Sequence, residues 1–143
     1  MNEEFWRGKS VKLLGGASLI GSHIAHALRD VAGEVTVVDD LSSGMFANIP
    51  YGVNFSNGDL RNYKTARREL NSGDIVFHLA AAHGGRGYVA GHSVELYDNL
   101  SLDATIFRAC SDAKVEKVIF SSSACAYPIW MQNDVNQLLY LHE

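Results

Sequence analysis

Ser10-Val11-Lys12-Leu13-Leu14-Gly15-Gly16-Ala17-Ser18-Leu19-Ile20-Gly21-Ser22-His23 is the stretch on which the fold of this chain turns. A short apolar run, Val11 to Leu14, meets glycines at once, and Ile20, Ile24, Ala27, Leu28 and Val31 then recur at helical spacing. The pattern is strand, tight turn, helix. A helix that starts just beyond a strand aims free backbone N–H groups and the positive end of its dipole into the turn, which suits a diphosphate. Glycines are needed there because a Cβ would block the turn or the approach of the pyrophosphate. The frame for such a turn is Gly-x-x-Gly-x-x-Gly, which falls on Gly15, Ser18 and Gly21. The middle position is a serine, whose Cβ is expected to push a diphosphate away while its hydroxyl offers one hydrogen bond in compensation. A glycine cluster after one strand can also be a tight turn and nothing more, so the neighbouring segments have to decide.

The next segment supports the ligand reading. Glu34 to Asp40 is a β-branched run ending in acid, and Asp39 follows Gly15 at roughly the 20-residue spacing at which a carboxylate accepts hydrogen bonds from an adenosine ribose. Such a carboxylate repels a 2′-phosphate, which favours NAD over NADP. Taken singly, Asp39 could merely begin a turn. Its agreement with the glycine loop tips the balance.

Further along, Val53 to Ser56 reads as a third strand ending at Gly58-Asp59-Leu60, followed by a short helix with Tyr63, Ala66 and Leu70 on one face. Arg61, Lys64, Arg67 and Arg68 around it read as a solvated helix face. Asp74 to Ala82 is apolar on both faces, as buried parallel strands are. The glycine-rich loop His83-Gly84-Gly85-Arg86-Gly87 then falls at the carboxyl edge, where doubly wound sheets bind ligands. A long helix is expected from Ser93, its candidate N-cap, to about Ala113, with Tyr97, Leu100, Ala104, Phe107 and Cys110 on one stripe. Lys117 to Ser121 is the fifth strand. Alternating strands and helices with right-handed crossovers give an α/β, Rossmann-type, doubly wound parallel sheet of order 3-2-1-4-5, and residues 1–143 form one domain without a linker or repeat.

Composition narrows the function classes. With 143 residues, 47% of them hydrophobic, the chain can bury a real core. A formal charge of −4 argues against a nucleic-acid groove or a polybasic membrane face. Cys110 and Cys125 are too far apart for a Cys-x-x-Cys pair, and His23 and His26, although on one helix face, sit in no metal-binding frame, so no metal is expected. The acidic start Met1-Asn2-Glu3-Glu4 has no signal core and no run reaches membrane-spanning length, so the expected location is the cytoplasm.

Several motifs now coincide in order: Gly15 to His23, Val38-Asp39-Asp40-Leu41-Ser42-Ser43-Gly44, Gly58-Asp59-Leu60, His78-Leu79-Ala80-Ala81, Asn99 in the long helix, and Phe120-Ser121-Ser122-Ser123-Ala124-Cys125-Ala126-Tyr127-Pro128. Together they resemble the NAD-dependent epimerase/dehydratase family, the extended short-chain dehydrogenases that act on nucleotide sugars. The resemblance covers almost the whole chain. It implies that Gly15, Ser18, Leu19, Ile20 and Gly21 wrap the pyrophosphate of NAD, that Asp39 and Ser42 hold the ribose, and that Asp59 and Leu60 flank the adenine. Leu79, Ala80 and Ala81 would line the middle of the cofactor, with Asn99 alongside. Ser123 matches the catalytic serine that hydrogen-bonds the sugar oxygen being oxidised. Cys125 falls where members with the motif Ser-Ser-Ala-Cys-x-Tyr-Pro keep an acid/base cysteine, or is a small buried apolar residue.

One departure bears on chemistry. The family's base is a tyrosine whose pKa is lowered by a lysine one helical turn away, written Tyr-x-x-x-Lys after the serine. This chain has no Tyr-x-x-x-Lys, and beyond Lys117 it has neither lysine nor arginine. By resemblance it stops where the catalytic helix and substrate domain would begin, so little turnover is expected from it alone, and a nucleotide sugar is a partner only if the missing part is supplied. The family's long helix commonly pairs with its equivalent in a second subunit, which implies a homodimer. The expectation is therefore the NAD-binding part of an epimerase or dehydratase, the alternative being a non-catalytic dinucleotide-binding or assembly protein that has kept the fold.

Overall fold

The computed structural model describes residues 2–83, 91 and 93–123. The strands are β1 (Ser10–Leu14), β2 (Glu34–Asp39), β3 (Asn54–Asn57), β4 (Ile75–His78) and β5 (Lys117–Phe120). They form one parallel sheet in the order β3-β2-β1-β4-β5. The expected topology is thus observed. β1 is central, with Leu13 paired to Val37 on one side and Phe77 on the other. Its residues from Val11 onward are buried because both faces of the sheet are covered.

Helix α1 (Glu3–Trp6) precedes β1, α2 (Leu19–Leu28) follows it, α3 (Tyr63–Arg68) precedes β4, and α4 (Ser93–Ala113) precedes β5. Val11, Leu13, Val35 and Val37 pack with Ala25 and Leu28 of α2 on one face. Leu14, Val38 and Val76 pack with Ala66 of α3 and with Leu102, Ile106 and Ala109 of α4 on the other. On the α2 side, Trp6 stacks on Phe77 with ring centroids 6.2 Å apart, a contact that gives the four-residue α1 its anchor. Lys12 is the exception to an apolar β1: its ammonium is buried and donates to Thr36 Oγ1 at 3.1 Å across the β1–β2 ladder.

Three sequence expectations are corrected. On α4 the buried seam is Leu102, Ile106, Ala109, Cys110 and Ala113, while Tyr97, Leu100 and Phe107 are exposed. Both stripes are apolar, and the sheet, which the helix alone does not reveal, selects between them. On α2, Ile20 is 60% exposed and Ala25 takes the core position. The fourth strand ends at His78 and not at Ala82, so the apolar run Leu79 to Ala82 is left to line a cavity. The side chain of Ser93, with its expected N-cap role, is not described, and the glycine loop after His83 and the apolar run Leu138 to Leu141 lie outside the described residues.

Helix α4 ends in a Schellman motif, in which Lys114 N donates to Ser111 O at 3.1 Å and Val115 N to Cys110 O at 3.2 Å. The motif requires a left-handed residue just past the helix, and Lys114 supplies it with φ 57°. A side chain there costs roughly 1 kcal/mol that glycine would avoid. Lys114→Gly is expected to raise the urea midpoint, corresponding to about 0.5–1 kcal/mol of added stability. An unchanged or lowered midpoint would show that the lysine carries no conformational cost.

Candidate functional site

The carboxyl ends of β1, β2, β3 and β4 open onto a cavity of ≈ 450 Å³. Gly15 forms its floor. With φ +79° it turns the chain sharply off β1, and a Cβ there would stand 2.5 Å from Ala80 N. Gly21 is as tightly held, since its Cβ would meet Gly16 Cα at 2.5 Å. The glycine frame thus lets α2 and the segment after β4 close on the loop backbone.

Ser18 is the N-cap of α2. Its Oγ accepts from Gly21 N at 3.3 Å and donates to Gly15 O at 2.8 Å. The hydroxyl hydrogen expected to compensate a diphosphate is therefore already committed to the loop's own carbonyl. Leu19 and Ile20 carry exposed side chains and do not line the cavity, nor does Gly21. In the first helical turn the amides of Leu19 and Ile20 have no intrahelical acceptor, while that of Gly21 is capped by Ser18 Oγ.

Asp39 ends β2 with its carboxylate buried. Oδ2 accepts from Ala17 N at 3.0 Å and Oδ1 from Leu41 N at 2.9 Å, so this side chain fastens the glycine loop to the β2 turn. The ligand and turn readings of Asp39 are compatible, because each oxygen keeps a second lone pair and Asp39 remains on the cavity wall. Leu41, with φ 60°, swings Ser42, Ser43 and Gly44 round that wall. Ser42 bonds its neighbour: its N–H and hydroxyl donate to Asp40 Oδ1 at 2.9 and 2.6 Å.

At the opposite wall, Asp59 and Leu60 follow β3, and Leu60 is buried in the core. Arg61 also lines the cavity, which corrects its reading as part of a solvated helix face: it precedes α3 on the turn and its guanidinium grips Asp59, with Nε to Oδ1 at 2.9 Å and Nη2 to Oδ2 at 3.0 Å. Those hydrogen bonds hold the Asp59 carboxyl below the usual carboxylate range and raise the arginine further. A guanidinium two residues from an aspartate was the signal that sequence reading passed over.

Leu79, Ala80 and Ala81 also line the cavity. Asn99 fixes the end of this segment with two hydrogen bonds of 2.8 Å, accepting from Ala82 N and donating to Ala82 O. One turn further along α4, Asp103 Oδ1 lies 2.9 Å from His78 Nε2. The ring is buried against Phe107 and Phe120, and Nδ1 has no partner among the described residues. Burial lowers the His78 pKa, and Asp103 opposes this only in part, so the neutral imidazole donates to Asp103 and ties α4 to β4.

Gly15, Ser18, Asp39, Ser42, Asp59 and Leu60 are thus brought together with Leu79, Ala80, Ala81 and Asn99 around one cavity. Ser123, three residues beyond β5, does not line it, and Cys125 lies outside the described residues. Among the described residues no group of three or more His, Cys, Asp or Glu side chains is arranged to hold a metal, and no helix is long and apolar enough to cross a membrane.

Known proteins share this fold. GDP-mannose 3,5-epimerase 1 of Oryza sativa subsp. indica is 30% identical over 142 residues, covering 94% of this chain and 36% of that protein. The solved UDP-N-acetylglucosamine 4-epimerase from Methanobrevibacter ruminantium, in complex with UDP-N-acetylmuramic acid, superposes with a TM-score of 0.77 at 34% identity, covering 94% of this chain and 43% of that one. The UDP-glucose 4-epimerase of Thermus thermophilus, in complex with NAD, gives 0.69 at 32%, covering 80% and 37%. The chain spans little more than a third of the length of the curated relatives it matches. The model of the NAD dependent epimerase/dehydratase family matches residues 11–138, and the chain belongs to that family.

Proposed function

We propose that this chain binds NAD as a single cytoplasmic domain and is the cofactor-holding part of a nucleotide-sugar epimerase or dehydratase. The observation that carries the proposal is the glycine turn at Gly15 joined through Ala17 to the Asp39 carboxylate, at the carboxyl edge of a parallel sheet. Gly15, closed against the segment after β4, keeps the loop low on the cavity wall and leaves a diphosphate room above it, and the amides of Leu19 and Ile20 offer it donors. The second lone pairs of Asp39 suit ribose hydroxyls, Leu60 offers an apolar wall to adenine, and Leu79 to Ala81 shape the centre. Bound there, NAD would accept and return the hydride of a sugar carbon. Ser123 would hydrogen-bond the sugar oxygen and Cys125 would move a proton, and the relatives' substrates make a GDP- or UDP-sugar the substrate class. Calorimetric titration with NAD and NADH tests the central claim; no heat of binding with either would overturn it.

Ser18 favours a second reading, a dinucleotide binder without turnover, because its hydroxyl seals the loop that should stay open to phosphate. Ser18→Gly is expected to tighten NAD by roughly tenfold, the worth of restoring one amide donor to a charged acceptor. The loss of the serine cap costs the helix only a few tenths of a kcal/mol. A variant that binds no better than the parent would show that the loop does not limit affinity.

The assembly we propose is a homodimer through α4. Its outer face carries Tyr97 at 70% exposure and Leu100 at 69%, beside Phe107 and the exposed β5 side chains of Ile119 and Phe120. Light scattering at tens of micromolar should give twice the chain mass, and Leu100→Asp should return it to the monomer. A monomeric parent would refute the assembly.

A further inference from the structure

Arg61 is the one cation lining the described cavity that lies within ion-pair distance of two of its acids. Its guanidinium edge is occupied by Asp59 through Nε and Nη2, and Nη1 lies 3.9 Å from Asp98 Oδ2 on α4. Asp40, next to the proposed ribose ligand, also acts on its charge. Arg61 thus shares the cavity with Asp39 and Asp40 at the end of β2, but is turned toward the carboxylates of Asp59 and Asp98.

We propose that Arg61 is a latent 2′-phosphate site, locked by Asp59 and Asp98, and that this lock sets the choice between NAD and NADP. The inference rests on the cofactor reading given above and names the residues that tune it. A phosphate recognised by arginine takes the planar N–H fork, and here a carboxylate already holds that fork. Asp39, Asp40, Asp59 and Asp98 oppose a single guanidinium in the cavity, so a second phosphate entering it meets net negative charge. Asp39 is also spent on the loop through Ala17 and Leu41, so replacing it disturbs the binding of both cofactors. Asp59 and Asp98 can be neutralised without touching the loop. Their side chains are 48% and 56% exposed, which keeps the substitutions outside the core.

The experiment is calorimetric titration of the full chain and its variants with NAD and NADP, which differ only by the 2′-phosphate. Asp59→Asn should raise the affinity for NADP relative to NAD on the order of tenfold, the worth of one hydrogen bond between charged partners. Asp98→Asn should shift the ratio the same way by less. Adding Arg61→Gln to Asp59→Asn should remove the gain. A ratio unchanged in both single variants, or a gain that survives Arg61→Gln, overturns the inference while leaving NAD binding in place. Failure of the parent and every variant to bind either dinucleotide overturns the cofactor reading and this inference with it.

Discussion

Gly15→Ala should lower the stability of the chain by roughly 3 kcal/mol and remove measurable NAD binding. Two costs add at this position. The backbone at φ +79° is one that a β-carbon disfavours, and the new methyl would stand 2.5 Å from Ala80 N and 2.6 Å from Ala80 Cα, main-chain atoms that cannot swing aside. Relief requires the end of β4 to move away from β1, and with it the cavity floor. Gly52 provides the internal control: its φ is +89° but a Cβ there meets nothing within 4 Å. Gly52→Ala should therefore cost only the conformational part, about 1 kcal/mol, with binding intact. Equal losses of stability at the two positions, read from urea midpoints, would mean that the close approach of Gly15 to β4 is soft and the explanation wrong.

The larger effect on activity concerns the 143-residue chain itself. Incubated with NAD and GDP-mannose or UDP-glucose, it is expected to epimerise neither at more than a small fraction of a complete enzyme's rate. A positioned general acid/base contributes about 10²–10⁴-fold, and this chain contains no Tyr-x-x-x-Lys pair to provide one. Deuterium uptake in D2O at a carbon beside the one oxidised, followed by NMR, separates proton transfer from hydride transfer, since a hydride returned by the cofactor brings in no solvent hydrogen. Exchange without epimer would credit a residual acid/base such as Cys125, whereas accumulation of the epimer at an ordinary enzymatic rate would sink the prediction.

How far the fold could be read from sequence depended on how local the cause was. The β1 turn was legible because Gly15 and Gly21 satisfy constraints set within a few residues and by an obligatory neighbouring strand. Strand order was legible because alternating strands and helices leave few right-handed arrangements. The buried face of α4 was not, because the Leu100 and Leu102 stripes are both apolar and the choice is made by β4, β5 and the polar ties of Asn99 and Asp103. Arg61 was misplaced for a similar reason: basic residues cluster around α3, and only the turn before it shows that this one grips Asp59. Ser18 was legible as a departure, but its direction was not, since a hydroxyl can face a ligand or its own loop and here it faces Gly15 O. The placement of most expected cofactor residues around one cavity followed from motif order. Ser123, the serine expected to hydrogen-bond the sugar oxygen, does not line that cavity, and Cys125 lies outside the described residues.

The double fastening of the glycine loop, through Ala17 to Asp39 and through Ser18 to Gly15, bears on the time course of ligand capture. A segment that must order itself around a guest loses conformational freedom during binding, which weakens the complex and can add a slow phase to association. Here the ordering was completed when the chain folded. Cofactor mixed with the protein should therefore associate in a single concentration-dependent phase, with differences in affinity among loop variants residing in the rate of escape.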